Sequence, residues 1–308
     1  MAPLTSTDSP APRLLDRRLV FLLGKGGVGR STVAAALGLL AARSARRAIV
    51  VEVTGRGDVP RLFGRESTAG TEIELLDGLW TLAVDPRVAL EEYLRDQLPG
   101  RMLGEMIGTS GAFGYVAAAT PGLRELLTIG KIWELAQDQR RPEGALPYDV
   151  VVVDAPATGH GLALLQAPRT FAAAAQIGPI ARQGELISQT LRDRRQTALA
   201  GVTTPDRAAV DELLDLRAQL TDGLDAVLVN AVMRRRFDAQ DATALRAALD
   251  RGAPAAPLHI ALAEEARASE QRAQLARLDR AVELPLLVEP EIGPIALGKL
   301  ADALAVLA

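Results

Sequence analysis

Cysteine is absent from the 308 residues, and histidine occurs only twice, at His160 and His259. Without cysteine the chain forms no disulfide, offers no thiol nucleophile and builds no thiolate zinc site. Two histidines do not furnish a histidine-rich metal centre. Lysine is nearly absent too: of 35 basic residues only Lys25, Lys131 and Lys299 are lysine, and the rest are arginine. In so arginine-rich a background a Lys-to-Arg exchange can be drift, and each retained lysine carries more information. No run of about 18 or more apolar residues occurs, so no segment reads as a membrane span. The opening MAPLTSTDSPAP is polar and proline-rich and lacks the apolar centre of a secretion signal. We expect a soluble, cytoplasmic protein that meets a membrane, if it does, only at the surface. The formal net charge of −3 gives no reason to expect nucleic-acid binding.

What is present is the balance of a soluble globular chain, 48% hydrophobic and 24% charged. Its length suits one large α/β domain, or a core domain carrying a helical insertion. Residues 1–15 read as a disordered tail and 16–308 as the folded domain. Arg18 to Leu23, Ala48 to Val53, Asp149 to Asp154 and Asp225 to Asn230 are short apolar runs of the kind that form buried parallel strands. Leu258 to Leu262 and Leu284 to Val288 are weaker strand candidates. Ser31 to Arg43, rich in alanine and leucine, is a helix. Long stretches between strands imply crossovers and a mostly parallel sheet, doubly wound and covered on both faces. Two of those stretches, about 88–137 and 162–220, exceed a simple crossover and read as a helical subdomain.

GKGGVGRST, Gly24 to Thr32, follows a strand and opens a helix, the setting in which a glycine-rich loop holds phosphate. Gly24, Gly26, Gly27 and Gly29 leave room for backbone N–H groups, with Val28 among them, to converge on phosphate oxygens. The positive end of the following helix faces the anion. The Ser31 hydroxyl is placed to ligate Mg²⁺, and Thr32 follows it. We therefore expect a P-loop NTPase fold binding ATP and Mg²⁺. Arg30 stands where the general motif has lysine; it keeps the charge but is bulkier and planar. Drift predicts that binding survives with altered geometry, whereas loss of catalysis predicts a binding-only site.

KGGVGRST resembles the deviant phosphate loop of the arsenical-pump, guided-entry (tail-anchored protein targeting), septum-site and plasmid-partition ATPases. DAPATGHGLALLQAP, Asp154 to Pro168, is similar to the switch II segment of the arsenical-pump and guided-entry branch, matching at Asp154, Thr158, Gly159, His160, Leu162, Leu164 and Leu165. LPLLVEPEIGPIAL near the C-terminus is similar to that branch's last strand and adenine-side loop. The resemblance runs from about residue 18 to the end. It implies an ATPase that dimerises around two nucleotides, as a homodimer or with a paralogue, with Lys25 reaching the partner's phosphates. It implies that Asp154 acts on Mg²⁺ through water and that Asn230 recognises adenine. From the residues alone, Asp154 could cap a helix, His160 could be structural or conformational, and Asn230 could end a strand and open a turn.

Two departures qualify the resemblance. Where the branch has a water-positioning aspartate after the second strand, this chain has Thr54, which is no base at neutral pH. Glu52 lies two residues back on the same side of its strand, roughly 6–7 Å away; it can act through a water or be a polar strand-end residue, and Asp58 is a second candidate. The zinc-clamping CxxC and the metalloid-binding cysteines are missing, so neither zinc nor thiolate-bound arsenic is expected. Three functions follow: a dimeric ATPase acting on an unidentified protein or membrane-protein client, a hydrolysis-poor nucleotide-gated adaptor working with a paralogue, or a partition-type ATPase, which calls for a basic face where the sequence offers the clusters Arg43 to Arg47 and Arg234 to Arg236. Residues 98–119, apolar and glycine-punctuated, either bind a client or pack on neighbouring helices.

Overall fold

The computed structural model describes residues 13–97, 122–142, 144–175 and 179–308. The expected client surface at 98–119 lies outside these residues, as do positions 1–12 of the expected tail. Among the described residues eight strands form one sheet: β1 (Leu19–Leu23), β2 (Ala48–Glu52), β3 (Ile73–Leu76), β4 (Leu79–Ala83), β5 (Val150–Asp154), β6 (Thr197–Thr203), β7 (Ala226–Val232) and β8 (Ala281–Pro285). Their order is β3-β4-β2-β5-β1-β6-β7-β8. The β3–β4 hairpin is antiparallel and every other pairing is parallel. The doubly wound α/β fold expected from the sequence is the one observed.

The helices are α1 (Arg30–Arg43), α2 (Asp58–Arg61), α3 (Pro86–Gln97), α4 (Leu123–Leu135), α5 (Thr158–Ala175), α6 (Pro179–Arg192), α7 (Arg207–Gln219), α8 (Ala239–Asp250), α9 (Ala255–Leu275) and α10 (Pro294–Leu304). Alternation along the strands divides the core. Val20, Leu22, Val50 and Val152 face α1 and α10, packing with Val33, Leu37, Leu297 and Leu300. Leu19, Phe21, Ile49, Val51, Val151 and Val153 face the other way, onto Ile129 and Ile132 of α4 and Leu164 of α5. Toward β7, Val227 and Val229 meet Val210, Leu213 and Leu216 of α7. Central strands buried on both faces are why their sequences are continuous apolar runs.

Several details differ from the sequence reading, and the β3–β4 hairpin lies where no strand was expected. Leu258 to Leu262 lies inside α9, not in a strand; a short apolar run has no periodicity of its own, and here it continues a helical segment. The last strand comes earlier, at Ala281–Pro285. Thr197–Thr203, TALAGVT, interrupts the stretch read as helical and enters the sheet between β1 and β7; its small residues gave no apolar signal. Leu14 and Leu15, counted with the tail, are buried in the core below α1.

β1 sits at the centre with β5 on one side and β6 on the other, so the strand order turns back on itself here. Ligands of open α/β sheets bind outside the carboxyl ends of the strands at such a point. The loop after β1, Asp154 ending β5, Glu52 ending β2 and Asn230 in β7 all lie at those ends.

Candidate functional site

The loop after β1 is shaped by two glycines that admit no substitute. A Cβ on Gly24 would lie 2.2 Å from the Val202 carbonyl oxygen of β6, so the backbone must run against that strand bare. Gly29 has φ +81°, and a Cβ there would fall 2.2 Å from the Asn230 side-chain nitrogen. Cβ positions on Gly26 and Gly27 meet nothing within 4 Å. Among the described residues, the amides from Gly26 to Gly29 donate to no other backbone carbonyl. The first N–H groups of α1 likewise have no partner within the helix. A row of free amides beside open space at a helix N-terminus is an anion cradle.

Ser31, one residue into α1, donates its hydroxyl to Asp154 Oδ2 at 2.5 Å. Asp154 is buried and registers with Leu22 of β1 on one side and Glu52 of β2 on the other. Hydroxyl and carboxylate oxygens are the donors a hard divalent cation such as Mg²⁺ takes, few from protein and the rest from water and phosphate. The pair fits that ion.

Arg30 does not extend away from the fold. Its Nε donates to Asp154 Oδ1 at 2.9 Å and its Nη1 to the Gly24 carbonyl at 2.6 Å. The guanidinium fork thus folds back along its own loop, tying β1 to β5. Arginine makes the two contacts from two nitrogens of one planar fork, a geometry the point charge of an ammonium does not have.

Glu52 is fully buried. Its Oε1 accepts from the amides of Asp58 and Val59 at 2.7 and 3.1 Å, which fixes the turn into α2. Its Oε2 is buried with no hydrogen-bond partner. Burial raises the carboxyl above its ordinary value; the two amide bonds oppose this, and the Asp154 charge adds to it. Between them, Val53 to Gly57 form an exposed or half-exposed loop in which Thr54 is exposed. Asp58 pairs with Arg61 on the same short helix.

Asn230 reaches the loop from across the sheet, its Nδ2 donating to the Val28 carbonyl at 3.0 Å. β7 shifts register between Val229 and Val232, and Ala231 has φ +60°, a conformation uncommon for a residue with a Cβ. This bulge re-aims Asn230 toward the phosphate loop. Lys25 extends from the loop to Glu212 of α7, Nζ to Oε2 at 3.6 Å, with its side chain 42% exposed. His160 is exposed in the first turn of α5. The structure brings the loop, Ser31, Asp154 and Glu52, all expected site residues, to one end of the sheet. Nothing in the sequence pointed to the Lys25 contact with Glu212, which no motif marks, or to the Asn230 contact with Val28.

The Arg43 to Arg47 cluster is engaged internally: Arg43 pairs with Asp302, Arg46 with Asp16, and Arg47 lies 3.8 Å over the Trp80 ring. Among the described residues no helix is long and apolar enough to cross a membrane.

A strand, a bare glycine loop, a helix with serine in its first turn and a buried aspartate on the neighbouring strand define a P-loop nucleotide-binding protein. The family model for anion-transporting ATPases matches residues 17–183. The ATPase BagA of Mycobacterium tuberculosis is 33% identical over 238 residues, which cover 74% of this chain and 69% of BagA. The ATPase GET3 of Pyricularia oryzae is 26% identical over 238 residues, 73% of this chain and 65% of that protein. The ATPase get3 of Neurospora crassa is 27% identical over 175 residues, 56% of this chain and 48% of that protein. The chain belongs to the anion-transporting ATPase family, the group that includes the arsenical-pump and guided-entry ATPases.

Proposed function

We propose that this chain binds ATP with Mg²⁺ at Gly24 to Thr32, hydrolyses it slowly, and uses the nucleotide to close a dimer that acts on a protein or membrane-protein client. The observation that carries the reading is the Ser31–Asp154 contact at 2.5 Å beside unpartnered loop amides. When bound, Mg²⁺ offsets charge developing on the phosphates. The amides from Gly26 to Gly29, with Val28 among them, orient the phosphates, and Ser31 and Asp154 hold the ion, Asp154 through water. Thr32 follows in the first turn of α1. Lys25 serves the partner's nucleotide, and Asn230 holds the loop while its carbonyl oxygen stays available to the base. The helices α3 to α6 of the expected subdomain carry the closing motion, while β6 and α7 of the stretch 162–220 belong to the sheet and the layer packed on it.

Turnover is slow in this reading because Thr54 cannot accept a proton. Glu52 is the carboxylate that substitutes: its Oε2 is free, and burial raises its proton affinity toward what a general base needs. Arg30 adds a second brake, since its guanidinium must release Asp154 or the Gly24 carbonyl as the site fills. That same contact favours the second reading, an adaptor that binds ATP with little hydrolysis beside a paralogous subunit.

Calorimetry of the purified chain tests the binding site. ATP affinity should rise with Mg²⁺ in the parent, and Ser31→Ala should lose that Mg²⁺ dependence. Equal Mg²⁺ dependence in Ser31→Ala would remove the metal assignment. Turnover measured alone, then with any paralogue, separates the slow ATPase from the adaptor.

A further inference from the structure

We propose that Glu212 is a positioning residue that ties Lys25 of the phosphate loop to the first turn of α5, and that Lys25 leaves it when the dimer closes. The inference rests on the cross-subunit reading of Lys25 given above. Glu212 has two arms. Its Oε1 accepts the Thr158 hydroxyl at 2.6 Å, and its Oε2 lies 3.6 Å from Lys25 Nζ. One carboxylate therefore touches both the loop that holds phosphate and the helix that begins four residues after Asp154.

The post that carries this carboxylate is rigid. α7 is capped by Asp206, whose side chain accepts from the Ala209 amide at 3.1 Å. Val210, Leu213 and Leu216 of the same helix are buried against the sheet. The Lys25 end is loose by contrast, its side chain 42% exposed and the Glu212 side chain 35% exposed. A half-exposed ion pair is held weakly enough to exchange for a better anion, such as a phosphate presented by a second copy. Thr158 opens α5, and the amides of His160 and Gly161 close its first turn on the Ala157 carbonyl. Glu212 thus competes with phosphate for Lys25 and anchors the start of α5 through Thr158. Loss of Lys25 changes the charge balance at the same carboxylate that holds α5, so the state of the interface is felt in the segment after Asp154.

The two arms separate by substitution in the full chain, with circular dichroism confirming that each variant folds. Glu212→Gln keeps an acceptor for Thr158 but loses the ion pair. With ATP and Mg²⁺, its midpoint concentration for self-association by light scattering should fall about two- to fivefold, the factor typical of an exposed pair. Its amide exchange at residues 158–161 should stay within about twofold of the parent. Glu212→Ala loses both arms, so exchange at His160 and Gly161 without nucleotide should also rise about threefold or more. Thr158→Val should reproduce the exchange change. An unchanged midpoint in Glu212→Gln, with Lys25→Ala abolishing association, overturns the proposal, as does unchanged exchange in Glu212→Ala. If Lys25→Ala associates like the parent, the cross-subunit reading of Lys25 fails and the Lys25 arm of this proposal fails with it. The exchange measurement, made without nucleotide, still decides the Thr158 arm.

Discussion

Replacing Glu52 by glutamine should make the protein more stable and the enzyme slower, an unusual pairing for a fully buried position. Glutamine matches the shape of glutamate, and its carbonyl oxygen can take the Asp58 and Val59 amides now held at 2.7 and 3.1 Å. What it removes is a charge whose second oxygen is buried without a partner and which Asp154 repels. The glutamine NH2 that takes this oxygen's place is still buried and unpaired, a cost of about 1–3 kcal/mol, but the cost is higher for a charged group, so losing the charge recovers roughly 2 kcal/mol. Against that, exchanging charge-assisted bonds to two amides for neutral ones loses roughly 1 kcal/mol in total. The expected net gain at neutral pH is about 1 kcal/mol. Its pH dependence has a definite sign. The folded-state carboxyl is raised above its unfolded value of 4.5, so ionisation of Glu52 weakens the fold as pH climbs above 4.5. The advantage of glutamine should grow as pH rises through the folded-state value of the carboxyl and vanish below 4.5, where Glu52 is protonated in both states. Urea unfolding at several pH values measures this. In single-turnover assays the same variant should lose at least about a hundredfold in rate, the lower end for a lost general base, while ATP affinity stays within about threefold. A variant less stable than the parent refutes the account of the orphaned oxygen. A variant that hydrolyses ATP as fast as the parent refutes the relocated base.

Gly26 offers the cleanest disruption of the cradle, because a Cβ there meets nothing within 4 Å whereas Gly29 is constrained by φ +81° and by Asn230. Gly26→Val should abolish ATP binding in calorimetry with little change in thermal midpoint; retained binding removes the loop assignment. Thr54→Asp places a carboxylate in the exposed loop after β2 and should raise the single-turnover rate about tenfold; no change means that the attacking water is not held there. Arg140 is 1% exposed and binds both Glu72 and Glu134, so Arg140→Met should destabilise the fold by about 3 kcal/mol, the lower end for a broken buried network. Both carboxyls face burial, which pushes them up, yet Arg140 and their other partners hold them below their ordinary range. The network's stabilisation is therefore present above the unfolded value of 4.5 and is lost as pH falls below it, so the Arg140→Met penalty in denaturant unfolding should shrink in acid.

The sequence alone determined the parts whose physics is local. Four strands showed as apolar runs because central strands are buried on both faces, and their observed bounds differ by no more than two residues from the expected ones at either end. The phosphate loop was legible because its glycines, Ser31 and the helix after them act within nine consecutive residues. Asp154 and Glu52 were legible as acidic ends of apolar runs. Tertiary structure decided the rest, because the deciding partners are far apart along the chain. The Asn230 amide meets Val28 from 202 residues away, and a bulge at Ala231, with no sequence signature, aims it there. Arg30 turns onto Asp154 across 124 residues, which no property of the loop itself dictates. The β3–β4 hairpin and β6 lack continuous apolar runs, since an edge pair is covered on fewer sides and β6 packs with alanine and glycine. Leu258 to Leu262 became helix because the polar residues around it continue α9 to Leu275, and length, not local apolarity, settles that choice. Glu212 is one acid among many on a helix surface; only the fold brings it to Lys25 and Thr158 together.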